Sequence, residues 1–329
     1  MWFETLTGFA EASPAQVREH LGVHGSELVS RVNGRRLVWG ELETPSLAEL
    51  RDRVRAADHE AGKTTVREVV ADVQHLHADP ANAGALFQVA SQFNLLEMTS
   101  PGVTPESGVG IYEYDRTQGP ACAIAAGGGT IYRNYFALVN GRIGQSADNQ
   151  IDCLADLGAA LGNADGHLWE MRNGYALATE SGLAEIADRL WGASEAQRDE
   201  LRALLRIGLQ WNTQVTLGEA DHTVSQAYCS ALPVAYSYHD ASRWADFATL
   251  VLEASYEATF CAALVNARRT GNRTVYLTLL GGGAFGNRTD WIVGAIGRAL
   301  TRHNDHGLDV AMVSYGTSRP ALQPLITDR

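Results

Sequence analysis

A glycine-rich segment near the end of the chain constrains the fold more than any other feature. Residues 275–280, VYLTLL, form an apolar run with the length of a buried strand, and GGGAFGN follows directly. A helical pattern begins near Thr289. Glycines let several backbone N–H groups point at one anion, and the start of a helix adds the positive end of its dipole. The segment therefore predicts a strand, a phosphate-binding loop and a helix; the alternative is a tight turn that binds nothing.

The chain after residue 80 alternates between strand-like and helical patterns. Strands are predicted at residues 86–92, 130–139, 223–229, 274–280 and 309–314. Helices are predicted at residues 120–125, 151–161, 180–191, 195–209, 242–268 and 289–303. This alternation is typical of a three-layer α/β fold, in which helices flank a mixed sheet.

The first 80 residues have a different texture and are predicted to form an N-terminal α+β extension, packed on a domain of residues 81–329. Ser13 and Ser46 are typical caps for helices at residues 14–21 and 47–57. The Asn-Gly pair at residues 33–34 favours a hairpin between strands at 27–32 and 36–42. Residues 66–75 are expected to be helical.

The acidic composition limits the possible partners. The formal charge is −12, from 38 acidic and 26 basic residues, which argues against nucleic-acid binding because phosphate backbones need clustered Lys and Arg. The start of the chain lacks a basic, apolar leader, and we expect a cytoplasmic protein without a membrane segment. Four widely spaced cysteines predict free buried thiols, and no spacing predicts a metal site.

A long acidic loop after the strand at residues 86–92 supplies candidate catalysts. Its acids are Glu97, Glu106 and Asp115, whereas Glu113 is expected to be solvated. Converging carboxylates can hydrolyse a glycosidic bond, one by protonating the leaving group and another by orienting water. Asp115 could alternatively cap the next helix, which is a structural role.

A second glycine cluster and a rival motif leave alternatives open. Gly127 and Gly128 predict either ligand contact or the end of a helix followed by a strand. Residues 281–286 also satisfy the dinucleotide pattern G-x-G-x-x-G. That pattern needs an acid at the tip of the next strand, where this chain has Val313-Ser314-Tyr315.

The GGGAFGN loop at residues 281–287 and the segment QVASQFN at residues 88–94 resemble macrodomains of the poly(ADP-ribose) glycohydrolase type, and the resemblance covers roughly residues 85–315. In that family a Gly-x-Gly-Ala-Phe-Gly loop wraps the diphosphate and its Phe packs on the nucleotide. The resemblance implies a macrodomain-like fold that binds ADP-ribose. The ligand-binding residues that it implies are Asn94, at the distal ribose, Gly281, Gly283, Ala284, Phe285, Gly286 and Asn287. Four further candidate ligand contacts lie near these motifs: Gln118, Gly127, Gly128 and Gly282.

The Gln-Glu-Glu signature of the glycohydrolases is absent, with Gln118-Gly119-Pro120 near the expected helix start. The pattern is more similar to macrodomains related to the bacterial effector MavL, which remove ADP-ribose from arginine of ubiquitin. This resemblance implies an ADP-ribosylhydrolase without a cofactor that acts on a protein side chain, with arginine, as on ubiquitin, as the expected acceptor. Its catalysts would be Glu97, Glu106 and Asp115, and we expect Glu106 and Asp115 to carry the acid and water-orienting roles. A non-catalytic ADP-ribose reader and an NAD-dependent oxidoreductase are the alternatives.

Overall fold

The computed structural model describes residues 1–56 and 62–327. Its α-helices are α1 Trp2–Thr7, α2 Pro14–His20, α3 Leu47–Arg55, α4 Val73–Ala78, α5 Gln118–Ala125, α6 Gly127–Tyr135, α7 Ala155–Ala160, α8 Glu180–Gly192, α9 Glu195–Ala203, α10 Ala245–Thr270, α11 Thr289–Arg302 and α12 Gln323–Thr327. Short 3-10 helices lie at Pro80–Asn82, Pro105–Ser107, Gly110–Tyr114, Asn163–Asp165, Val234–Tyr236, Ala241–Trp244 and Pro320–Leu322.

The strands form one large sheet and three small ones. They are β1 Leu21–His24, β2 Glu27–Ser30, β3 Arg36–Val38, β4 Glu41–Glu43, β5 Thr65–Val70, β6 Leu86–Ala90, β7 Leu138–Val139, β8 Arg142–Ile143, β9 Trp169–Arg172, β10 Tyr175–Ala178, β11 Gly208–Gln214, β12 Thr223–Cys229, β13 Thr274–Leu277 and β14 Asp309–Ser314. The large sheet has the order β4-β11-β12-β6-β13-β14-β5.

The large sheet is mixed and carries helices on both faces. Strands β12, β6, β13, β14 and β5 are parallel, whereas β11 runs antiparallel to both of its neighbours. Successive residues of β6 point to opposite faces: Phe87 stacks on His77 of α4, and Gln88 donates a hydrogen bond to Thr259 of α10. The prediction of a three-layer α/β fold with a mixed sheet is confirmed.

The first 80 residues belong to the large sheet as well as to the layers around it. Both outer strands, β4 and β5, come from them, and α3 packs on α10. The boundary that we predicted at residue 80 therefore cuts through the sheet. Residues 66–75 were expected to be helical, but β5 pairs with β14 from Thr65↔Asp309 to Val70↔Ser314. Backbone pairing with β14 outweighed the helical pattern here, and only residues 73–75 of the predicted helix lie in a helix, α4.

The helix caps and the hairpin turn of the N-terminal segment were predicted more reliably than its domain boundary and its last helix. Ser13 accepts a hydrogen bond from the N–H of Gln16, and Ser46 forms a capping box with Glu49, so both predicted helix starts are confirmed. The second helix ends at Arg55, and the predicted end at residue 57 lies outside the described residues. The predicted hairpin is β2–β3, which β1 extends to three strands.

Helix α10 forms the centre of one helical layer and packs against α3, α8, α9 and α11. We expected no segment that could cross a membrane. This expectation was wrong by length and composition alone, because the span Ala241–Thr270 is long and apolar enough. However, 83% of its apolar window is buried inside the fold. Burial against the other helices therefore explains its apolar composition, as in the core helix of a globular protein.

One predicted helix was too long, and one predicted strand was wrong. The helix predicted at residues 195–209 ends at Ala203, and Gly208–Gln214 instead forms β11, between β4 and β12. The strand predicted at residues 130–139 is mostly α6, whose residues are buried except for Tyr132. All four cysteines are free and buried, as predicted.

Helix α6 begins with glycines because its start touches the N-terminal segment. A Cβ added at Gly127 would lie 2.4 Å from Cδ1 of Leu6 and 2.9 Å from Cζ3 of Trp2. Close approach of the backbone therefore outweighs the poor helix propensity of glycine. A strand prediction based on the β-branched and aromatic residues that follow had no access to this tertiary contact.

We expect Ala substitutions at two helical glycines to change stability in opposite directions. G127A should destabilise the protein by about 1–3 kcal/mol, because the new methyl group overpacks against Leu6. G294A, at an exposed position of α11 with nothing within 4 Å of the added Cβ, should stabilise it by about 0.5–1 kcal/mol. Urea unfolding would measure both changes, and equal signs would contradict this account of α6.

Candidate functional site

A cavity of about 800 Å³ opens where the five parallel strands end. Residues that follow each of them line it, in chain order Asp72, Ser91, Ala231, Leu279 and Tyr315. Strands β6 and β13 pair only at Leu86–Val275 and Phe87–Tyr276 and are unpaired beyond that point. The cavity therefore enters the sheet at the edge where parallel α/β folds bind ligands.

The glycine loop after β13 forms one wall of this cavity. Gly281 and Gly286 both have a φ of 72°, which favours glycine, and the N–H of Asn287 closes the loop on the carbonyl of Gly281 at 2.9 Å. Within the described residues, four N–H groups of the loop donate no hydrogen bond: those of Gly281, Gly283, Ala284 and Phe285. Together with the start of α11, they form a wall suited to an anion.

Asn287 fixes the loop from behind. Its side chain is buried, and Nδ2 donates to the carbonyl of Leu232 at 2.8 Å, in the segment that follows β12. The N–H of Ala235 donates to the carbonyl of Phe285 at 3.0 Å, which ties the loop to the same segment. These contacts hold the amide-bearing residues in a fixed position, as an anion site requires.

Aromatic rings form a second wall. Phe285 lies 5.3 Å from Tyr175 and 5.5 Å from Tyr236, measured between ring centroids, and all three rings line the cavity. The Tyr175 hydroxyl donates to the carbonyl of Met98 at 2.6 Å, so this ring is fixed. The three rings offer an apolar surface on which a sugar or a base could pack.

The acidic loop brings Glu97 into the cavity wall. The side chain is buried, and Oε1 accepts no hydrogen bond from the described residues. A Cβ added at Gly119 would lie 2.3 Å from Oε2, so the first turn of α5 rests against this carboxyl. Burial raises the pKa of Glu97 well above its ordinary value; positive Arg133 opposes this shift and negative Asp115 adds to it.

Asp115 and Glu113 line the same cavity. Oδ1 of Asp115 accepts the N–H of Thr117 at 2.8 Å, and its other oxygen has no hydrogen-bond partner among the described residues. Glu113, which we expected to be solvated, accepts the N–H of Trp2 at 3.2 Å and faces the cavity. The cavity thus combines a buried carboxyl of raised pKa with a half-buried carboxylate close enough to influence it.

The turn that delivers Glu97 is strained. Leu95 has a φ of 65°, a left-handed conformation that costs a non-glycine residue about 1–2 kcal/mol. Its carbonyl accepts a hydrogen bond from Nε of Arg133 at 3.1 Å, and its N–H donates to the carbonyl of Gln92 at 2.9 Å. The N–H of Glu97 then donates to the Tyr112 hydroxyl at 3.0 Å. Several side chains therefore hold this backbone in place.

Two predicted site residues of the acidic loop lie away from the cavity. Glu106 is exposed, and its Oε1 accepts the N–H of Ala147 at 2.9 Å. Asn94 is fully buried; its Nδ2 donates to Gln150 at 2.8 Å, and its Oδ1 accepts the N–H of Leu96 at 3.1 Å. The structure therefore brings Glu97 and Asp115 together without Glu106, and it gives Asn94 the task of shaping the loop.

Of the other predicted ligand contacts, Gln118 lies at the cavity, whereas Gly127 and Gly128 do not. Gln118 lines the cavity, but its amide is occupied: Oε1 accepts the N–H of Ala90 at 2.9 Å and Nε2 donates to the carbonyl of Gln88 at 2.8 Å. Gln118 thereby provides hydrogen-bond partners for backbone groups of β6 beyond the point where its pairing with β13 ends. Gly127 and Gly128 are buried in α6 and do not line the cavity, so both serve close packing.

Sequence reasoning missed other residues of the cavity wall: Trp2, Asp72, Glu113, Arg116, Tyr175, Tyr236 and Arg319. Asp72 could have been found, because it follows β5 and acids at the carboxyl ends of parallel strands are candidates for ligand contact. That step required β5 to be recognised as a strand. Trp2 and Tyr175 reach the cavity through tertiary packing, which leaves no local signal.

Comparisons with known proteins identify distant structural similarity only. No protein-family model and no curated protein matches the chain. A poly(ADP-ribose) glycohydrolase from Thermomonospora curvata is similar at 13% identity and a TM-score of 0.47, over 96% of this chain and 97% of that one. The enzyme of that name from Deinococcus radiodurans, in complex with ADP-ribose, is similar at 11% identity and a TM-score of 0.45, over 95% and 98%. Function therefore has to be inferred from the cavity itself.

Proposed function

We propose that the cavity binds ADP-ribose and hydrolyses the glycosidic bond that joins it to an acceptor. One observation carries the proposal: unpaired loop amides and the carboxyls of Glu97 and Asp115 line the same cavity of about 800 Å³. The amides suit a diphosphate, and paired carboxyls suit the hydrolysis of a glycosidic bond. The name of the similar enzymes agrees with this proposal but carries none of its weight.

Each group then has a defined role. The N–H groups of Gly283, Ala284 and Phe285 would bind the diphosphate, and the ring of Phe285 would pack on the ribose or the adenine. Glu97, kept protonated by burial, would give its proton to the leaving group as the bond to the anomeric carbon breaks. Asp115 would orient a water molecule and accept its proton as the oxygen attacks that carbon.

The acids around the cavity favour a cationic acceptor, and we propose an arginine side chain of a protein. Besides the two catalytic carboxyls, Asp72 and Glu113 line the cavity and are half-buried, whereas the two arginines of the cavity wall, Arg116 and Arg319, are exposed. A guanidinium group beside these half-buried acids would be stabilised by their charge. The net charge of −12 also favours a basic protein substrate, and ubiquitin is one protein to test.

Calorimetry and a release assay test the proposal. We expect ADP-ribose to bind with a dissociation constant in the micromolar range and to be released from arginine-modified ubiquitin and from an arginine-modified peptide. Poly(ADP-ribose) and NAD serve as comparison ligands. No heat of binding at millimolar ADP-ribose would contradict the proposal. Binding without release from any of these substrates would identify a reader, and a stronger response to NAD would favour an oxidoreductase.

A further inference from the structure

Arg133 is a fully buried cation directly behind the catalytic wall. Its guanidinium lies 3.7 Å from the ring centroid of Tyr228, Nε donates to the carbonyl of Leu95, and Nη2 donates to Oγ1 of Thr130 at 3.1 Å. Within the described residues it makes no ion pair. A buried cation without a carboxylate in direct contact is costly, so its retention in the fold calls for an explanation.

Two buried polar atoms that lack a hydrogen-bond partner in the described part of the chain connect Arg133 with Glu97. Nη1 of Arg133 and Oε1 of Glu97 are both buried, and neither has a hydrogen-bond partner among the described residues. The Leu95 carbonyl that Arg133 holds belongs to the strained turn two residues before Glu97. Arg133 therefore bears on Glu97 in two ways, through the backbone of that turn and through its charge.

Among the described residues, two charges shift the pKa of the Glu97 carboxyl. Asp115, on the acidic loop, is the negative charge that raises its pKa, and Arg133, on α6, is the positive charge that lowers it. The remaining titratable groups that interact with it are weak acids, and burial raises the pKa of each, which keeps them neutral near pH 7: Tyr112, Cys122, Tyr175 and Tyr228.

We propose that Arg133 is a positioning residue for the Glu97 carboxyl. It holds the left-handed Leu95 turn that presents the carboxyl, and its positive charge stabilises the carboxylate that Glu97 becomes after it has given up its proton. Without that charge the buried acid would keep its proton and could not complete the cycle. This inference rests on the proposed hydrolysis for its kinetic consequence, but not for its effect on the titration of Glu97.

The experiment compares two substitutions of Arg133 with one at a matched buried arginine. R133Q removes the charge, and R133K keeps it but loses the planar group that contacts Leu95. R202Q is the control: Arg202 is 5% exposed and pairs with Glu195 and Glu253, outside the cavity wall. Glutamate labelled with ¹³C at the carboxyl carbon reports the titration of Glu97, assigned by the loss of its signal in E97Q.

We expect R133Q to raise the titration midpoint of Glu97, to shift the pH–rate profile by the same amount and to lower turnover at pH 7 at least about tenfold. R133K should keep a midpoint near that of the wild type but lose about tenfold in turnover, because the Leu95 turn relaxes. R202Q should lower the unfolding temperature and change neither readout. Wild-type titration in R133Q would overturn the role of the charge.

The substitutions remain informative if one of them fails to fold or if the proposed function is wrong. Should R133Q not fold, R133K decides, because full turnover and an unchanged Glu97 backbone amide resonance in folded R133K would overturn positioning. Should the wild type release no ADP-ribose, the proposed hydrolysis fails. A shifted Glu97 midpoint in R133Q would then still support the inference, and an unshifted midpoint would overturn it.

Discussion

Replacement of Glu97 by Gln is expected to lower the rate of ADP-ribose release at least about a thousandfold, while the affinity for ADP-ribose stays within about threefold. Gln keeps the size of the side chain but cannot give a proton to the leaving group. Single-turnover release measures the chemical step, and calorimetry measures binding. D115N should also retain affinity and lose turnover, because an amide cannot accept a proton from the attacking water.

E97Q should also stabilise the protein at neutral and alkaline pH. Burial raises the pKa of Glu97 in the folded state, so the folded protein holds this proton more tightly than the unfolded chain. Stability from this group is complete below the unfolded pKa and is lost as the pH rises toward the folded pKa. Since Gln cannot ionise, the advantage of E97Q in unfolding temperature should grow as the pH rises.

Glu106 provides the matched control for this prediction. It belongs to the same acidic loop, but it is exposed and contacts the backbone of Ala147 outside the cavity wall. E106Q should therefore keep turnover within about twofold and show no gain in stability. If E106Q lost activity and E97Q kept it, the acid would be Glu106, one of the three acids predicted from the sequence, and not Glu97.

The sequence predicted the strands that surround the cavity better than the residues that complete it. β12 and β14 were predicted with their observed bounds, because buried parallel strands appear as short apolar runs between turns. β5 has the alternating, partly exposed pattern of an edge strand and was mistaken for a helix. Because β5 was not predicted as a strand, there was also no reason to place Asp72 at the cavity from the sequence.

The acidic loop shows why site residues are harder to predict than strands. Glu97, Glu106 and Asp115 are equivalent in the sequence, and only the path of the loop separates them. That path depends on side chains far along the chain: Arg133 holds the carbonyl of Leu95, and Gln145 donates to the carbonyl of Asn94 at 3.0 Å. Such long-range hydrogen bonds leave no periodicity or spacing from which a prediction could start.

The glycine loop carries the second large expected effect, on binding instead of turnover. A Cβ at Gly281 would lie 2.4 Å from Cβ of Ala231 and 2.7 Å from Nδ2 of Asn287, at a φ of 72°. G281A should therefore displace the carbonyl that closes the loop and misalign the unpaired N–H groups. We expect ADP-ribose affinity to fall about a hundredfold, or about 2.8 kcal/mol, as measured by calorimetry.

A matched variant separates this effect from general strain. Gly271 ends α10 at a φ of 80° with nothing within 4 Å of an added Cβ, so G271A pays the same backbone cost far from the glycine loop. Both variants should lose about 1 kcal/mol or more of stability, but only G281A should lose affinity. Unchanged affinity in folded G281A would mean that the loop amides do not bind the diphosphate, and equal losses in both variants would mean that affinity merely follows stability. A loss confined to G281A would place the diphosphate on the loop, because loop geometry is what distinguishes the two substitutions.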